Sequence, residues 1–355
     1  MSTNRFDWGI LFSLIALTSI GLLTLLSIAS NLFYTQLLFI IIGLLFFLFF
    51  AFLDFQIFFS LYKFLYPFFI VCLLLTFIFG ENIRGAVRWI NLGPFSLQFS
   101  EILKPFFVLF FAFFLGMERH KWKKISLGIF LAFPVLILIF KQPDLGNTIV
   151  YLSILAGLFM SSGYGIIITL TGGFLAISMP FLWNLLHDYQ KNRIFSFLNP
   201  GLDPQGTGYN ALQAMIAVGS GGLLGKGLGR GTQSHLNFLP EHHTDFIFAS
   251  FAEEFGFIGV IILIILYSYL LFRILSIAKN STSSVAVYIS VGIFSLLFSQ
   301  IFINIGMNIG LVPITGITLP LLSYGGSSII STMISLGIIE SLVKTAKKQD
   351  IMQIK

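Results

Sequence analysis

Residues 33–53 read FYTQLLFIIIGLLFFLFFAFL, without one charged side chain. At about 1.5 Å of rise per residue, a helix of this length covers about 30 Å, the thickness of a bilayer's hydrocarbon core. Main-chain groups find no water there, so the run must close its own N–H and C=O groups as a helix. The same reading recurs along the chain. Runs at 8–29, 33–53, 58–80, 101–117, 125–141, 145–161, 164–187, 246–272, 284–308 and 324–343 are all apolar and all longer than alternating barrel strands. They predict an all-α integral membrane protein with ten transmembrane helices, forming a single polytopic domain over 1–355.

Composition narrows the function classes. Of 355 residues, 57% are hydrophobic and only 10% charged, against about 25% charged in an average soluble domain. Mean hydropathy is +0.95. Too few charges remain to clothe a water-exposed surface, which excludes a soluble enzyme, a disordered chain and, despite the net charge of +6, a nucleic-acid binder. The single Cys72 excludes an intramolecular disulfide and a Cys-rich metal site. The first run is expected to be retained, because it is long for a signal segment and Arg5 is offset by Asp7. Lys and Arg gather in the connection 118–124 and in the tail after 343. With an even number of spans, that bias puts both termini in the cytoplasm.

Arg84, Arg88, Lys104, Lys141, Lys191, Arg193, Lys226 and Arg230 then fall toward the outer face. They point to an anionic ligand there, against the plainer reading of loop solvation. Two connections carry unusual chemistry. The first, 188–245, is read as a large extracytoplasmic loop between helices 7 and 8, with an amphipathic patch at 209–218 that predicts a short helix. Next comes GSGGLLGKGLGRG, 219–231, whose backbone N–H groups can approach a phosphate closely or simply form a loose tip. It is not a P-loop, since Lys226 is followed by Gly. The second, IGLVPITGITLPLLS at 309–323, is apolar but broken by Pro and Gly, as in a re-entrant loop between helices 9 and 10. YGGSS at 324–328 opens the last helix, where free N–H groups suit an anion or Ser327 and its neighbours act as caps.

Charged groups inside or beside apolar runs carry the candidate chemistry. Glu101 and Lys104, three apart, share a helix face and can pair. Asp144, in QPDLG at 142–146, can cap the sixth helix or meet a ligand or cation. PEHHTDFIF at 240–248 places Glu241, His243 and Asp245 at the mouth of the eighth helix. A helix starting near Thr244 puts Asp245 and Glu253 on one face, with Thr244 or Asp245 as its cap. An acid at that boundary could serve as general base, since partial desolvation acts to raise a carboxylate's pKa. Adjacent His242 and His243 cannot face one metal ion from a helix.

These patches, in this order, resemble the SEDS family (shape, elongation, division, sporulation) of RodA, FtsW and SpoVE proteins. The motifs are RGAVRWI at 84–90, SEILK at 100–104, QPDLG, Arg193 to Asp203, the glycine run, Phe238 to Phe248 and PITG at 313–316 onward to Ser328. GTQSHLNFLP at 231–240 looks more like the RodA branch than FtsW. Phe99 stands where the pattern has Pro, and Val87 where it is commonly basic. The first changes how the fourth helix begins; the second removes one charge from the outer loop.

The resemblance implies a peptidoglycan glycosyltransferase that polymerises lipid II during cell elongation. The 4-hydroxyl of an acceptor GlcNAc attacks the anomeric carbon of a donor MurNAc, a β-1,4 bond forms, and undecaprenyl diphosphate leaves. Asp245 is the implied base. Arg84, Arg88, Trp89, Lys104, Lys191, Arg193, Lys226 and Arg230 are the implied substrate and diphosphate ligands, Lys104 and Arg193 foremost. Glu101, Asp144, Glu241, His243 and Ser327 support them. A divalent cation, Mg or Mn, is left open, with Asp144 and Glu101 as candidate ligands; no organic cofactor is implied. The implied partners are a class B penicillin-binding protein and other elongation-machinery membrane proteins. The competing readings are a lipid II flippase, a septal FtsW-type polymerase and a non-catalytic scaffold. A carrier would place its polar site near the midplane, whereas the charges here lie toward span ends.

Overall fold

Helices α1 (Trp8–Ile28), α2 (Phe33–Phe52) and α3 (Phe55–Phe79) open the computed structural model, which describes residues 6–53, 55–83, 86–91, 93, 96–117, 121–165, 188–198, 208–236 and 238–353. A small antiparallel sheet follows, β1 (Glu81–Ile83), β2 (Ala86–Asn91) and β3 (Ser96–Leu97), in that spatial order. Then come α4 (Phe99–Ile102), α5 (Lys104–Gly116), α6 (Lys121–Lys141) and α7 (Leu145–Ser161). Short helices α8 (Asp188–Leu198), α9 (Tyr209–Ser220) and α10 (Thr232–His235) precede α11 (Ile247–Asn280), α12 (Ser284–Asn308) and α13 (Gly326–Gln353). Seven described helices are long and apolar enough to cross a membrane, and α5 and α7 are shorter apolar helices. The expected span at 164–187 lies almost wholly outside the described residues.

The packing is that of a protein solvated by lipid. Leu45, Phe49, Phe64 and Ile265 are exposed, while Gln36, Ser290, Gln300 and Asn304 are buried. That inversion follows from a solvent as apolar as the side chains it meets. At the centre stands α5, buried continuously from Phe107 to Leu115 and packed against α3, α7 and α12. Its 13 residues reach only about 20 Å; α4 carries the path onward across Leu103. Pro105 in the first turn removes an N–H that would lack a helical partner.

The two ends of the bundle are fastened differently. Where the described chain begins, Asp7 caps α1 through Gly9 N (2.9 Å) and Ile10 N (3.2 Å), and pairs with Arg273 of α11. Its own N–H donates to Glu340 of α13 at 2.5 Å. Lys344 lies 3.7 Å over the Phe52 ring and donates to Ala51 O at 2.8 Å. The opposite end carries the sheet, α8 to α10 and the apolar segment 309–325, whose residues Ile317, Leu319, Leu321 and Leu322 are buried. Neither the sheet nor α8 is anticipated by the sequence reading; the helix expected at 209–218 is α9.

Candidate active site

The acids and bases singled out in the sequence separate into three clusters at this second end. In the first, Asp144 caps α7 through Asn147 N (3.2 Å). Its carboxylate also accepts from Gln98 Nε2 and Asn147 Nδ2, both at 2.9 Å, and from Ser100 Oγ at 3.3 Å. Arg88 of β2 completes the shell at 3.7 Å and also donates to the carbonyls of Gln142 and Pro143. Ser327 joins this cluster by accepting from Gln98 N at 3.0 Å. Asp144 is therefore a buried brace between β2, α4 and α7. Its oxygens face N–H and O–H donors and a guanidinium, a shell that does not fit a divalent cation. Glu101 fits one no better, since it binds Lys104 Nζ at 2.7 Å with the Lys104 side chain fully buried. Among the described residues no group of three His, Cys, Asp or Glu side chains could hold a metal.

In the second cluster the glycine run, expected as a phosphate cradle or a loose tip, is bound to the protein itself. Helix α11 breaks at Gly256 (φ 66°), and the freed main-chain groups are taken up by the glycine run. Lys226 N and Gly227 N donate to the carbonyls of Glu253 and Glu254 at 3.0 Å. In return Phe257 N and Ile258 N donate to Gly222 O and Leu223 O at 2.9 and 3.2 Å. Gly225 (φ 80°) sits so close that a Cβ there would overlap the Glu254 carbonyl. The Glu253 carboxylate lies beneath this loop. It binds Lys226 Nζ and Thr232 N at 2.8 Å and Gln233 N at 3.1 Å. Glu254 accepts from Ser27 Oγ (2.5 Å), Gly229 N (3.1 Å) and His235 Nε2 (3.1 Å). The N–H groups of Gly225, Lys226, Gly227, Gly229 and Arg230 thus already have acceptors within the protein, and Lys226 is committed to Glu253.

The third cluster surrounds Asp245. Helix α11 starts at Ile247, later than expected, and its N-cap residue Phe246 has no capping side chain. Asn308 of α12 does that work from outside, its Oδ1 accepting from Ala249 N at 3.2 Å. Residues 241–246 form a turn whose carbonyls are held one after another. Asn304 and Asn308 both donate to Asp245 O, at 3.0 and 3.1 Å. Ser323 Oγ donates to Thr244 O at 2.7 Å, and Tyr324 N to His243 O at 2.9 Å. Phe246 and Ala249 anchor the turn on Ala214 and Ala217 of α9, with Leu239 and, partly buried, Ile314. The small alanines let the two helices approach closely.

Asp245 is itself half-buried. Its Oδ2 faces Gly316 (φ 77°), where a Cβ would lie 3.4 Å away. Glu241 accepts from Thr244 Oγ1 at 3.1 Å. His243 rests against Tyr324, and burial, aided by the neighbouring His242, lowers its pKa below the usual imidazole range. Ile314 also lines a cavity of about 100 Å³ with Arg193, Ser196, Met215, Met307, Val312 and Pro313.

Of the predicted cation set, Arg88, Lys104 and Lys226 are each held against a carboxylate. Arg193 lines the cavity, Lys191 lies on the same short helix, Arg230 is exposed and Trp89 is half-buried on β2. Arg84 lies outside the described residues. Sequence reasoning overlooked Asn304 and Asn308. Their signal was present: Gln300, Asn304 and Asn308 form a stripe of amides at four-residue spacing in an apolar span.

The model of the FtsW/RodA/SpoVE family, described as cell cycle proteins, matches residues 6–348. The peptidoglycan glycosyltransferase MrdB of Escherichia coli K12 is 41% identical over 281 residues, covering 77% of this chain and 76% of its own. Stage V sporulation protein E of Bacillus subtilis is 36% identical over 276 residues, covering 77% and 75%. Among solved structures, a chain of a peptidoglycan synthase complex that coordinates polymerization and crosslinking superposes with a TM-score of 0.82 at 31% identity, covering 97% of this chain and 98% of that one. The rod shape determining protein RodA of Thermus thermophilus gives 0.73 at 29%, with coverage of 97% and 98%.

Proposed function

The chain belongs to the FtsW/RodA/SpoVE family of cell cycle proteins, and from that premise we propose that the turn at Asp245 is the reacting centre of a lipid II polymerase. The protein is an integral membrane peptidoglycan glycosyltransferase, 41% identical to MrdB of Escherichia coli and 36% identical to an FtsW protein of Trichlorobacter lovleyi. It acts in elongation rather than septation. Ten helices cross the membrane, both termini are cytoplasmic, and the reacting end, with its large loop and re-entrant segment, faces outward.

A sugar hydroxyl is a poor nucleophile at neutral pH, so a carboxylate placed beside it removes its proton as the glycosidic bond forms. Asp245 takes that role. Negative charge develops on the departing diphosphate and needs cations already in place; Arg193, with Lys191 and Arg230, supplies them. Arg88, Lys104 and Lys226 act at one remove, by holding the frame. A class B penicillin-binding protein crosslinks the product strands beside it. The observation that carries the reading is the setting of Asp245: a half-buried acid on a turn fastened by its carbonyls, whose next residue, Phe246, belongs to the cluster that packs on Ile314 of a cavity that Arg193 also lines.

The test is polymerisation of lipid II by purified protein in detergent. The native chain forms glycan strands. Asp245→Asn loses about 10²–10⁴-fold, the range of general-base catalysis, while still inserting in the membrane. Strands made at the native rate by that variant would overturn the assignment. No strands from the native chain, with lipid II crossing reconstituted vesicles, would favour the flippase.

A further inference from the structure

We propose that Asn304 is a positioning residue that sets the gap between Asp245 and the facing loop at Gly316. The proposal rests on the reading of Asp245 as the base. Asn304 is fully buried on α12 and has two N–H donors. One goes to Asp245 O at 3.0 Å and the other to Ile317 O at 2.7 Å. Those carbonyls belong to the two backbone segments that meet across the Asp245 carboxylate. A single planar amide therefore ties them together beside the carboxylate, while Ser323 and Tyr324 tie them again farther along the facing segment.

Asn308, one turn on, braces this strut. It donates to Asp245 O at 3.1 Å and to Asn304 O at 2.8 Å, and its Oδ1 takes the Ala249 N–H at the head of α11. Asp245 O thus receives two donors, and both come from α12. Across the gap, Gly316 keeps the space clear. Its φ of 77° disfavours a side chain, and a Cβ there would stand 3.4 Å from Asp245 Oδ2. A nucleophilic hydroxyl must enter that space to within hydrogen-bond reach of the carboxylate. An error of about 1 Å in such placement costs about 100-fold in rate.

Asn304 touches no reacting atom in this scheme. Its loss should lower kcat and leave KM unchanged. The experiment measures kcat and KM for lipid II with full-length protein in detergent, normalised to folded protein by size-exclusion profile and melting temperature. The variants are Asn304→Leu, which keeps the shape but removes both donors, and Asn304→Gln, which restores them on a longer arm. Expected are a fall in kcat of about 100-fold for Asn304→Leu, a KM within about twofold of native, and at least tenfold recovery of kcat by Asn304→Gln. The acid limb of the pH–rate profile should not move, because the titrating base is unchanged.

Native kcat per folded molecule in Asn304→Leu would overturn the proposal, as would a loss confined to KM. If Asn304→Leu does not fold, Gly316→Ala tests the same gap from its other wall, and native kcat there would sink the idea. Asp245→Asn run in parallel separates the two failures. An active Asp245→Asn removes the base itself, whereas an inactive Asp245→Asn with an unimpaired Asn304→Leu removes only the strut.

Discussion

Asp245 and Glu253 lie eight residues apart, at the head of the same helix, yet the chain treats them oppositely. Around Glu253 the donors converge on the side chain: an ammonium, two main-chain N–H groups and hydroxyls surround a carboxylate with no exposure. Around Asp245 the two amides of α12 reach past the side chain to the main-chain carbonyl. The first arrangement neutralises an acid and uses it as a fastening. The second holds the backbone rigid and sets the carboxylate opposite a glycine. The proposed base and the structural acid thus differ in what the α12 amides hold, a carbonyl rather than a carboxylate, and in depth, Asp245 being half-buried and Glu253 without exposure.

Substitution at the two positions should break that contrast cleanly. The largest effect expected is on rate. Asp245→Asn removes about 10²–10⁴-fold of polymerisation with little change in melting temperature. Glu253→Ala does the reverse. It strands Lys226 and several buried N–H groups, so about 3 kcal/mol of stability should go, read as a lower melting temperature in detergent, with kcat per folded molecule largely retained. Equal loss of rate in both variants would erase the distinction.

A smaller effect sharpens the same comparison at Asp144, another neutralised acid. Arg88→Ala deletes its cation together with bonds to Gln142 O and Pro143 O, and about 2 kcal/mol should be lost. Hydrogen exchange should rise first around 141–147. The smallest effect is expected at His243. Its pKa is held down in the fold by burial and by His242. Below about pH 6.5 the unfolded chain therefore binds a proton that the folded chain still refuses, and stability falls as pH drops. His243→Gln should flatten that fall below about pH 6.5, measured as melting temperature against pH.

The membrane class was legible from runs such as 33–53, because hydrocarbon leaves a long apolar segment one backbone solution. The PEHHTDFIF stretch was legible as a site because acid and imidazole beside an apolar run are costly without a use. Three things were not legible. That Lys226 would be held by Glu253 depends on partners brought together by folding, 27 residues apart in the chain, whereas the Glu101–Lys104 pair, three apart on one helix face, was legible and forms. That Asp245 would not cap its own helix depends on Asn308, 63 residues away. The sheet at 81–97 escaped because its strands are two to six residues long, too short for alternation to register. Helix periodicity reports one element's faces; it says nothing of which other element supplies the complementary group.

The exchange of main-chain bonds across Gly256 has a practical corollary. Residues 221–227 look like an ideal site for a tag, a protease site or a spliced reporter, being rich in glycine and distant from any span in the linear order. Yet Gly222, Leu223, Lys226 and Gly227 complete the hydrogen bonding of α11. Lengthening that stretch by even one residue amounts to cutting a transmembrane rod. A reporter is better placed elsewhere.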